Sequence, residues 1–468
     1  MRRIFVYCVF AGVILSVMFI TSCAVEPLPE SARRTDQGQV FFYLFCPKKP
    51  SFDISFAISG ISFMNKDKEW VDVAVEKHIN SSELSQRQIK LSEFYLPTGK
   101  YERARWTVSD AKLIKDGKTL SLAVPQPGGN HFFDIEFSLF PGESLALFAD
   151  LDPEQSVFRK YLFMPHMKIR EQSIEIRNIL AYVTNSDSDC LTVIDRQQDL
   201  VVATIVAGHR PKGIVMSPDG FNLYVANSGS NNISVIDTAA CREVDTISNF
   251  GYSPYELAVS EDGKTLYATN TDSDNVSIID TVSKVVTGRI SVGNRPAGII
   301  ADNKRRKVYA ANSGSNSVSI IDMNTHTVDS TITVGLNPSG MVIYEDTLYV
   351  ANSGSNSVGV IEIPSYSVTK TIPVGQRPMY LISGLSGNIY VSNANNNEIS
   401  FIYADMDMVT KNIPVGDLPL QMVVDSLRKK LYVVNTLSED VSVVDLTTRK
   451  TDAVIQVGKK PHGIVLAK

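Results

Sequence analysis

From Leu180 to the C-terminus the chain repeats itself seven times, and no other feature of the sequence restricts its fold as tightly. Tyr182, Tyr224, Tyr267, Tyr309, Tyr349, Tyr390 and Tyr432 are spaced 42, 43, 42, 40, 41 and 42 residues apart. Three residues after each comes an asparagine: Asn185, Asn227, Asn270, Asn312, Asn352, Asn393 and Asn435. A glycine and a proline with two residues between them close every unit, from Gly208/Pro211 to Gly458/Pro461. In the second unit, Phe221 to Ala226 is a short β-rich run and Asn227 to Asn231 is turn chemistry. Ile233 to Asp237, Glu243 to Ile247 and Tyr255 to Ser260 read as three further strands. Four strands in a unit of this length predict one propeller blade, and seven units predict seven blades.

The ends of the repeat predict how the ring closes. The first unit starts directly at the Tyr182 strand, whereas a supernumerary strand, Gly463-Ile464-Val465-Leu466, ends the chain. Pairing that strand into the first blade completes it and leaves no open sheet edge to template aggregation. The seven asparagines are expected to be structural, capping the turn after the second strand. The units resemble the YVTN β-propeller repeat, here as Tyr224-Val225-Ala226-Asn227-Ser228-Gly229-Ser230-Asn231 followed by Ile233-Ser234-Val235-Ile236-Asp237, over residues 180 to 468. Proteins with such repeats include surface-layer and surface-antigen proteins, which implies a binding or scaffold role. Propeller lactonases, dehydrogenases and nitrite reductases built on similar repeats imply the alternative, a hydrolase-like enzyme acting on an anionic small molecule.

The N-terminus has the three parts of an export signal: Arg2 and Arg3, an apolar run from Ile4 to Ile20, then small residues before Cys23. Ile20-Thr21-Ser22-Cys23 resembles the lipobox of bacterial lipoproteins, which implies removal of residues 1–22, lipidation of Cys23 and anchoring in a membrane. Ala24 stands where an inner-membrane retention signal would place Asp, which favours the outer membrane. Residues 23–40, with Pro27 and Pro29, read as lipidated cysteine and tether. Loss of the signal moves the formal net charge from −5 to −7, which argues against nucleic acid as a partner. Cys46, Cys190 and Cys241 then remain, an odd set with no metal-ligand spacing.

Between tether and repeats, Phe52, Ile54, Phe56 and Ile58 alternate with polar or small residues, as do Phe133, Ile135, Phe137 and Leu139. With turn signals at Pro97-Thr98-Gly99, Asp116-Gly117, Pro127-Gly128-Gly129 and Pro141-Gly142, this predicts an antiparallel β-sandwich over residues 41–170, ahead of a propeller over 178–468. The fold class is therefore all-β. Leu96-Pro97-Thr98-Gly99-Lys100-Tyr101 and Asp150-Leu151-Asp152-Pro153-Glu154-Gln155-Ser156-Val157 resemble a transthyretin-like bacterial lipoprotein domain of unknown function, which implies export and fold but no chemistry.

No phosphate-cradling glycine loop, HExxH, GxSxG or paired Cys/His set occurs, so no catalytic residue, cofactor or metal is assigned. The function is expected on the face where the loops between blades surround the channel mouth. Arg210, Arg295, Arg377 and Lys460 share one slot in four of those loops, and His209 and His462 fall in equivalent ones. A cationic ring on an acidic protein would attract an anionic ligand, a carbohydrate or phosphate, or a protein partner. Acids in the adjoining turns, among them Asp187, Asp189, Asp272 and Asp274, are expected to offset part of that charge. Blade six departs furthest from the repeat, through Asn395-Asn396-Asn397-Glu398, Tyr403 and Asp417-Leu418, which points to a site beside it.

Overall fold

The computed structural model describes residues 36–47, 50–84, 87–125, 127–173, 179–248, 251–363 and 365–467. The signal sequence, Cys23 and most of the tether lie outside them. The C-terminal part is a propeller of seven four-stranded sheets. Its closure is as expected: Pro461–Leu466 pairs antiparallel with Leu180–Asn185, with Val465 opposite Tyr182, and becomes the inner strand of blade one.

The middle strands of each blade are apolar almost throughout because neighbouring blades cover both of their faces. Tyr224, Val225 and Ala226 are buried alongside Ile233, Val235 and Ile236, whereas the outer strand Arg242–Ile247 is largely exposed. The repeated tyrosines fill the space between blades. Tyr432 of blade seven packs with Ala181 and Ile194 of blade one and donates its hydroxyl to Asp199 at 2.9 Å. Tyr349 of blade five reaches Asp407 of blade six in the same way, at 3.2 Å. The aspartate ending most third strands accepts backbone N–H groups of the next turn, as Asp237 does from Ala239 and Ala240 at 2.8 and 2.7 Å.

The repeated asparagines are structural, with bonds aimed at the next strand. Each ends its second strand and is buried. Asn312 Nδ2 donates to Ser317 Oγ and Ser319 Oγ at 3.1 and 2.9 Å, and Asn227 and Asn435 bridge equivalent pairs. Each asparagine also lies under the closing glycine of the adjoining loop. In all seven blades a Cβ at that glycine would fall 2.5–2.8 Å from the amide side chain, so the glycine and the asparagine form a single device.

The N-terminal part contains β1 (Gln37–Phe45), β2 (Asp53–Asn65), β3 (Trp70–Val73), β4 (Lys77–Asn80), β5 (Gln88–Pro97) and β6 (Gly99–Lys115). It continues with β7 (Lys118–Ser121), β8 (Asn130–Leu139), β9 (Ser144–Asp152), β10 (Val157–Phe158), β11 (Leu162–Phe163) and β12 (His166–Glu171). One sheet runs β12-β9-β1-β5, and the other is built on β3-β2-β6-β7 with β4 and β8 attached. They enclose an aromatic core in which Phe42 meets Trp106 edge-on at 5.5 Å and Tyr101 stacks on Phe137 at 4.9 Å. Two details differ from the sequence expectation. β1 and β9 pair parallel within the otherwise antiparallel sandwich. β1 also begins at Gln37, inside the segment read as tether, because its run Val40-Phe41-Phe42-Tyr43-Leu44 is buried on both faces.

Val40, Phe42 and Leu44 face the sandwich core, and Phe41 and Tyr43 face the propeller, where they join Val201, Ile455 and Val457 of blades one and seven. Two glutamines cover the free edge of blade one. Gln88 bonds both backbone groups of Val201 at 3.0 and 3.3 Å, and Gln172 Oε1 accepts from Thr204 N at 3.0 Å. Lys90 Nζ donates to Val457 O at 2.6 Å and pairs with Glu439 at 3.3 Å. The two units therefore pack tightly across the seam where the ring closes.

Substituting Asn312→Ala should remove two buried hydrogen bonds and strand Ser319, costing about 1–3 kcal/mol. The expected result is a lower denaturant midpoint at unchanged slope, and an unchanged midpoint would contradict this role.

Candidate functional site at the channel mouth

The loops between blades and the turns after the second strands share one face, as expected, because backbone hydrogen bonds join them in every blade. Ser228 N donates to Arg210 O at 3.0 Å, Ser313 N to Arg295 O at 3.0 Å, Ala394 N to Arg377 O at 2.9 Å and Ser186 N to Lys460 O at 3.0 Å. The four cationic residues all adopt left-handed φ, at 53°, 51°, 54° and 46°. The N–H groups of the three arginines are bound by the preceding turn, and all four side chains are exposed. Asp189 Oδ1 accepts from Arg210 N at 2.9 Å, Asp274 Oδ1 from Arg295 N at 2.7 Å, and Asn356 Oδ1 from Arg377 N at 2.9 Å. Asp189 and Asp274 thus fill the role an asparagine fills in other blades.

The ring divides into paired and unpaired cations. Lys460 pairs with Asp187 at 2.6 Å, Arg295 reaches Asp272 at 4.0 Å, and His209 Nδ1 lies 2.9 Å from Asp189. Arg210 and Arg377 form no ion pair among the described residues. His462 belongs elsewhere, contrary to its placement beside His209. It follows Pro461 on the inner strand of blade one and is 2% exposed inside the channel.

Below the mouth, side chains from four blades meet. His462 Nε2 lies 3.1 Å from the Tyr255 hydroxyl of blade three, and its ring stands edge-on to Tyr255 and to Tyr380 of blade six at 5.1 and 6.1 Å. The Tyr380 hydroxyl donates to Glu256 Oε1 at 2.6 Å, spanning from blade six to blade three. Lys212 of blade two stands beside them, and its charge acts on both Glu256 and His462. Together these side chains form a polar floor across the channel.

Burial dominates the electrostatics of this floor. It raises the Glu256 carboxyl to about 7 against the smaller opposing pull of the Tyr380 hydroxyl, the Leu257 N–H and Lys212. It lowers the Lys212 ammonium to about 8, with Arg210 and Lys460 adding to the effect and Asp187 and Glu256 opposing it. Burial, with the Lys212 charge, keeps His462 neutral. Tyr255 is pushed up to about 12, again chiefly by burial.

Glu256 and Tyr380 were not among the residues singled out from the sequence, yet a signal for them was present. The second residue after the closing proline is glycine in four units: Gly213, Gly298, Gly340 and Gly463. There adjacent inner strands approach so closely that a Cβ at Gly298 would lie 2.0 Å from Ser339 O, and one at Gly340 would lie 2.6 Å from Met379 O. In the other three units the position holds Glu256, Tyr380 and Gln421. The Tyr403 departure in blade six lies elsewhere. It precedes a 3-10 turn, Ala404–Met406, between the third and outer strands, away from the mouth loops.

Glu256 gives a pH signature. Unfolded, its carboxyl ionises near 4.5, whereas folded it holds its proton to about 7. Across that window the unfolded chain binds fewer protons, so stability falls as pH rises and levels off above 7. Relative to Glu256→Gln, the wild type should lose about 3 kcal/mol between pH 4.5 and 7 in denaturant unfolding. Parallel pH profiles for the two proteins would contradict the buried, protonated carboxyl.

Three solved structures are similar to parts of the chain. Kuenenia stuttgartiensis hydrazine synthase is 23% identical, over 54% of this chain and 88% of that one, with a TM-score of 0.49. Dihydro-heme d1 dehydrogenase NirN in complex with DHE is 17% identical, over 61% of this chain and 65% of that one, with a TM-score of 0.50. A functionally unknown protein from Desulfotomaculum acetoxidans is 14% identical, over 62% and 98%, with a TM-score of 0.55. For the latter two the likeness is one of fold. No curated protein matches the chain. Residues 177–467 match the YNCE-like beta-propeller family, and the chain belongs to it.

Proposed function

We propose that the protein is a lipid-anchored envelope protein whose propeller binds an anionic ligand at the channel mouth, without chemically altering it. The carrying observation is that Arg210 and Arg377, exposed on the rim, have no carboxylate partner among the described residues while Lys212 stands just beneath them. Bound carboxylate or phosphate groups would supply the missing partners. The polar floor gives such a ligand one side of approach. Exposed Tyr252 and Leu336 on the same loops add apolar surface beside the charges, which suits a sugar ring or a protein surface.

Anchoring through Cys23 in the outer membrane rests on the lipobox resemblance. Cells expressing Cys23→Ser should release the protein into the soluble fraction, whereas the wild type should partition into detergent. Equal partitioning of the two would end the lipoprotein reading.

The ligand class is tested by calorimetric titration of the full chain with oligogalacturonate and with a neutral oligosaccharide of equal length. The acidic probe alone should bind, more weakly at higher salt, and the Arg210→Ala/Arg377→Ala double variant should lose at least about tenfold in affinity. Indifference to charge, to salt or to the double variant would remove this reading. The hydrolase alternative draws on one observation, the Glu256 carboxyl held near neutrality beside a neutral His462. Turnover of an acidic lactone that disappears in Glu256→Gln would favour it over simple binding.

A further inference from the structure

The floor holds polar groups that the fold leaves without partners. The Lys212 ammonium forms no hydrogen bond or ion pair among the described residues, although its half-buried position already weakens its hydration. His462 Nδ1 is buried and likewise without a partner, while Nε2 is occupied by the Tyr255 hydroxyl. Glu256 is engaged with Tyr380. An unpartnered buried nitrogen is costly, and an ammonium ion offers only donors.

The repeat itself adds a second, independent observation. Glycine is the majority residue at the second position after the closing proline, and it allows the inner strands to close on one another. Blades three and six instead carry Glu256 and Tyr380, whose bond crosses the channel. At the first position, Lys212, Tyr255 and His462 contrast with Ala297, Ser339, Met379 and Leu420. Departures from the repeat therefore gather around one point in the channel.

We infer that the floor is an inner site for a single carboxylate group of the ligand, held by the Lys212 ammonium and by His462 Nδ1–H. The inference rests on the mouth-binding reading and names the part of the ligand that goes deepest. Occupancy by a carboxylate selects one tautomer of His462, with Nδ1–H donating to the ligand and the Tyr255 hydroxyl donating to Nε2. The charge balance favours a monoanion. With Glu256 protonated and His462 neutral, the floor carries one positive charge, which matches one carboxylate and leaves a phosphate dianion in excess.

The site should consequently weaken as pH rises. Ionisation of Glu256 around 7 places a negative charge beside the carboxylate, and Lys212 begins to lose its proton around 8. Tyr255 and Tyr380 stay protonated throughout and His462 stays neutral. Arg210, Arg377 and Lys460 stand above the floor, with Asp187 paired to Lys460.

The test is titration of the full chain with galacturonate, galactose and galactose 6-phosphate between pH 5.5 and 8. Galacturonate should bind more tightly than either other sugar, and its affinity should fall at least about tenfold from pH 6 to pH 8. Glu256→Gln, a neutral isostere, should remove most of that fall, leaving the smaller part that Lys212 contributes near pH 8, and keep the low-pH affinity. Lys212→Met and His462→Phe should each lose galacturonate binding while keeping the wild-type circular dichroism spectrum. The 15N shifts of His462 should move to the Nδ1–H tautomer on saturation.

A flat wild-type profile, or a fall of about tenfold from pH 6 to pH 8 retained in Glu256→Gln, overturns the inner site whether or not the other variants fold. If Lys212→Met and His462→Phe bind like the wild type while Arg210→Ala/Arg377→Ala does not, the inner site falls and the mouth reading stands. If galactose 6-phosphate outcompetes galacturonate, the carboxylate assignment falls. If neither galacturonate nor oligogalacturonate binds at any pH, both readings fall.

Discussion

The contact between each closing glycine and the buried asparagine beneath it is the constraint on which the rest of the propeller depends. It fixes the loop from one blade to the next onto the strand that follows, and it does so seven times, with Gly458 on Asn185 repeating it across the closure of the ring. Because a glycine Cα meets the amide side chain directly, the loop cannot rise away from the blade without uncovering a buried polar group. The residues just after that glycine, which include Arg210, Arg295, Arg377 and Lys460, are therefore held at one height around the mouth. The inner strands start from the same anchor, so the floor residues inherit their position from it.

The ring closure has a second support. The sandwich is placed across blades one and seven, beside the blade that the first and last strands of the propeller complete by pairing with each other. Phe41 and Tyr43 of β1 enter the seam, Gln88 and Gln172 cover the free edge of blade one, and Lys90 is held by groups of blade seven. An open outer strand at a seam is where a repeat fold would fray first or recruit another chain. Side-chain amides on that edge satisfy its backbone groups without extending the sheet further.

Much of this architecture was legible in the sequence because it is periodic. Seven tyrosines, seven asparagines and seven Gly/Pro pairs gave the blade number, and the surplus strand at Ile464 gave the closure. The parallel pairing of β1 with β9 was not legible, since a continuous apolar run records burial on two faces and says nothing of strand direction. The rim cations were found because they share a slot. His462 was misplaced because one residue separates loop from inner strand at the proline, and a single step along the chain moves a side chain from the rim into the channel. Glu256 and Tyr380 were harder to read because the position after it is dominated by glycine, and a periodic signal is carried by residues that recur rather than by those that interrupt a glycine series.

That distinction bears on where a propeller of near-identical repeats places any specificity. Its tyrosines, asparagines, closing glycines and third-strand aspartates are all committed to packing or to backbone bonds, and a change in any of them is felt as lost stability. The turns after the second strands are committed too, because Asp189, Asn231 and Asn316 hold the neighbouring loop by its backbone. What varies from blade to blade is the slot before the closing proline and the two residues after it, the second of which stays glycine in the four blades where the inner strands close tightly on one another. The first sits on the rim and the others on the floor, so variation confined to those positions writes its chemistry onto the channel axis. The cations at Arg210 and Arg377, the ammonium at Lys212 and the group formed by Tyr255, Glu256, Tyr380 and His462 all occupy these slots. Their convergence on the axis follows from the geometry of a ring whose other positions are already in use.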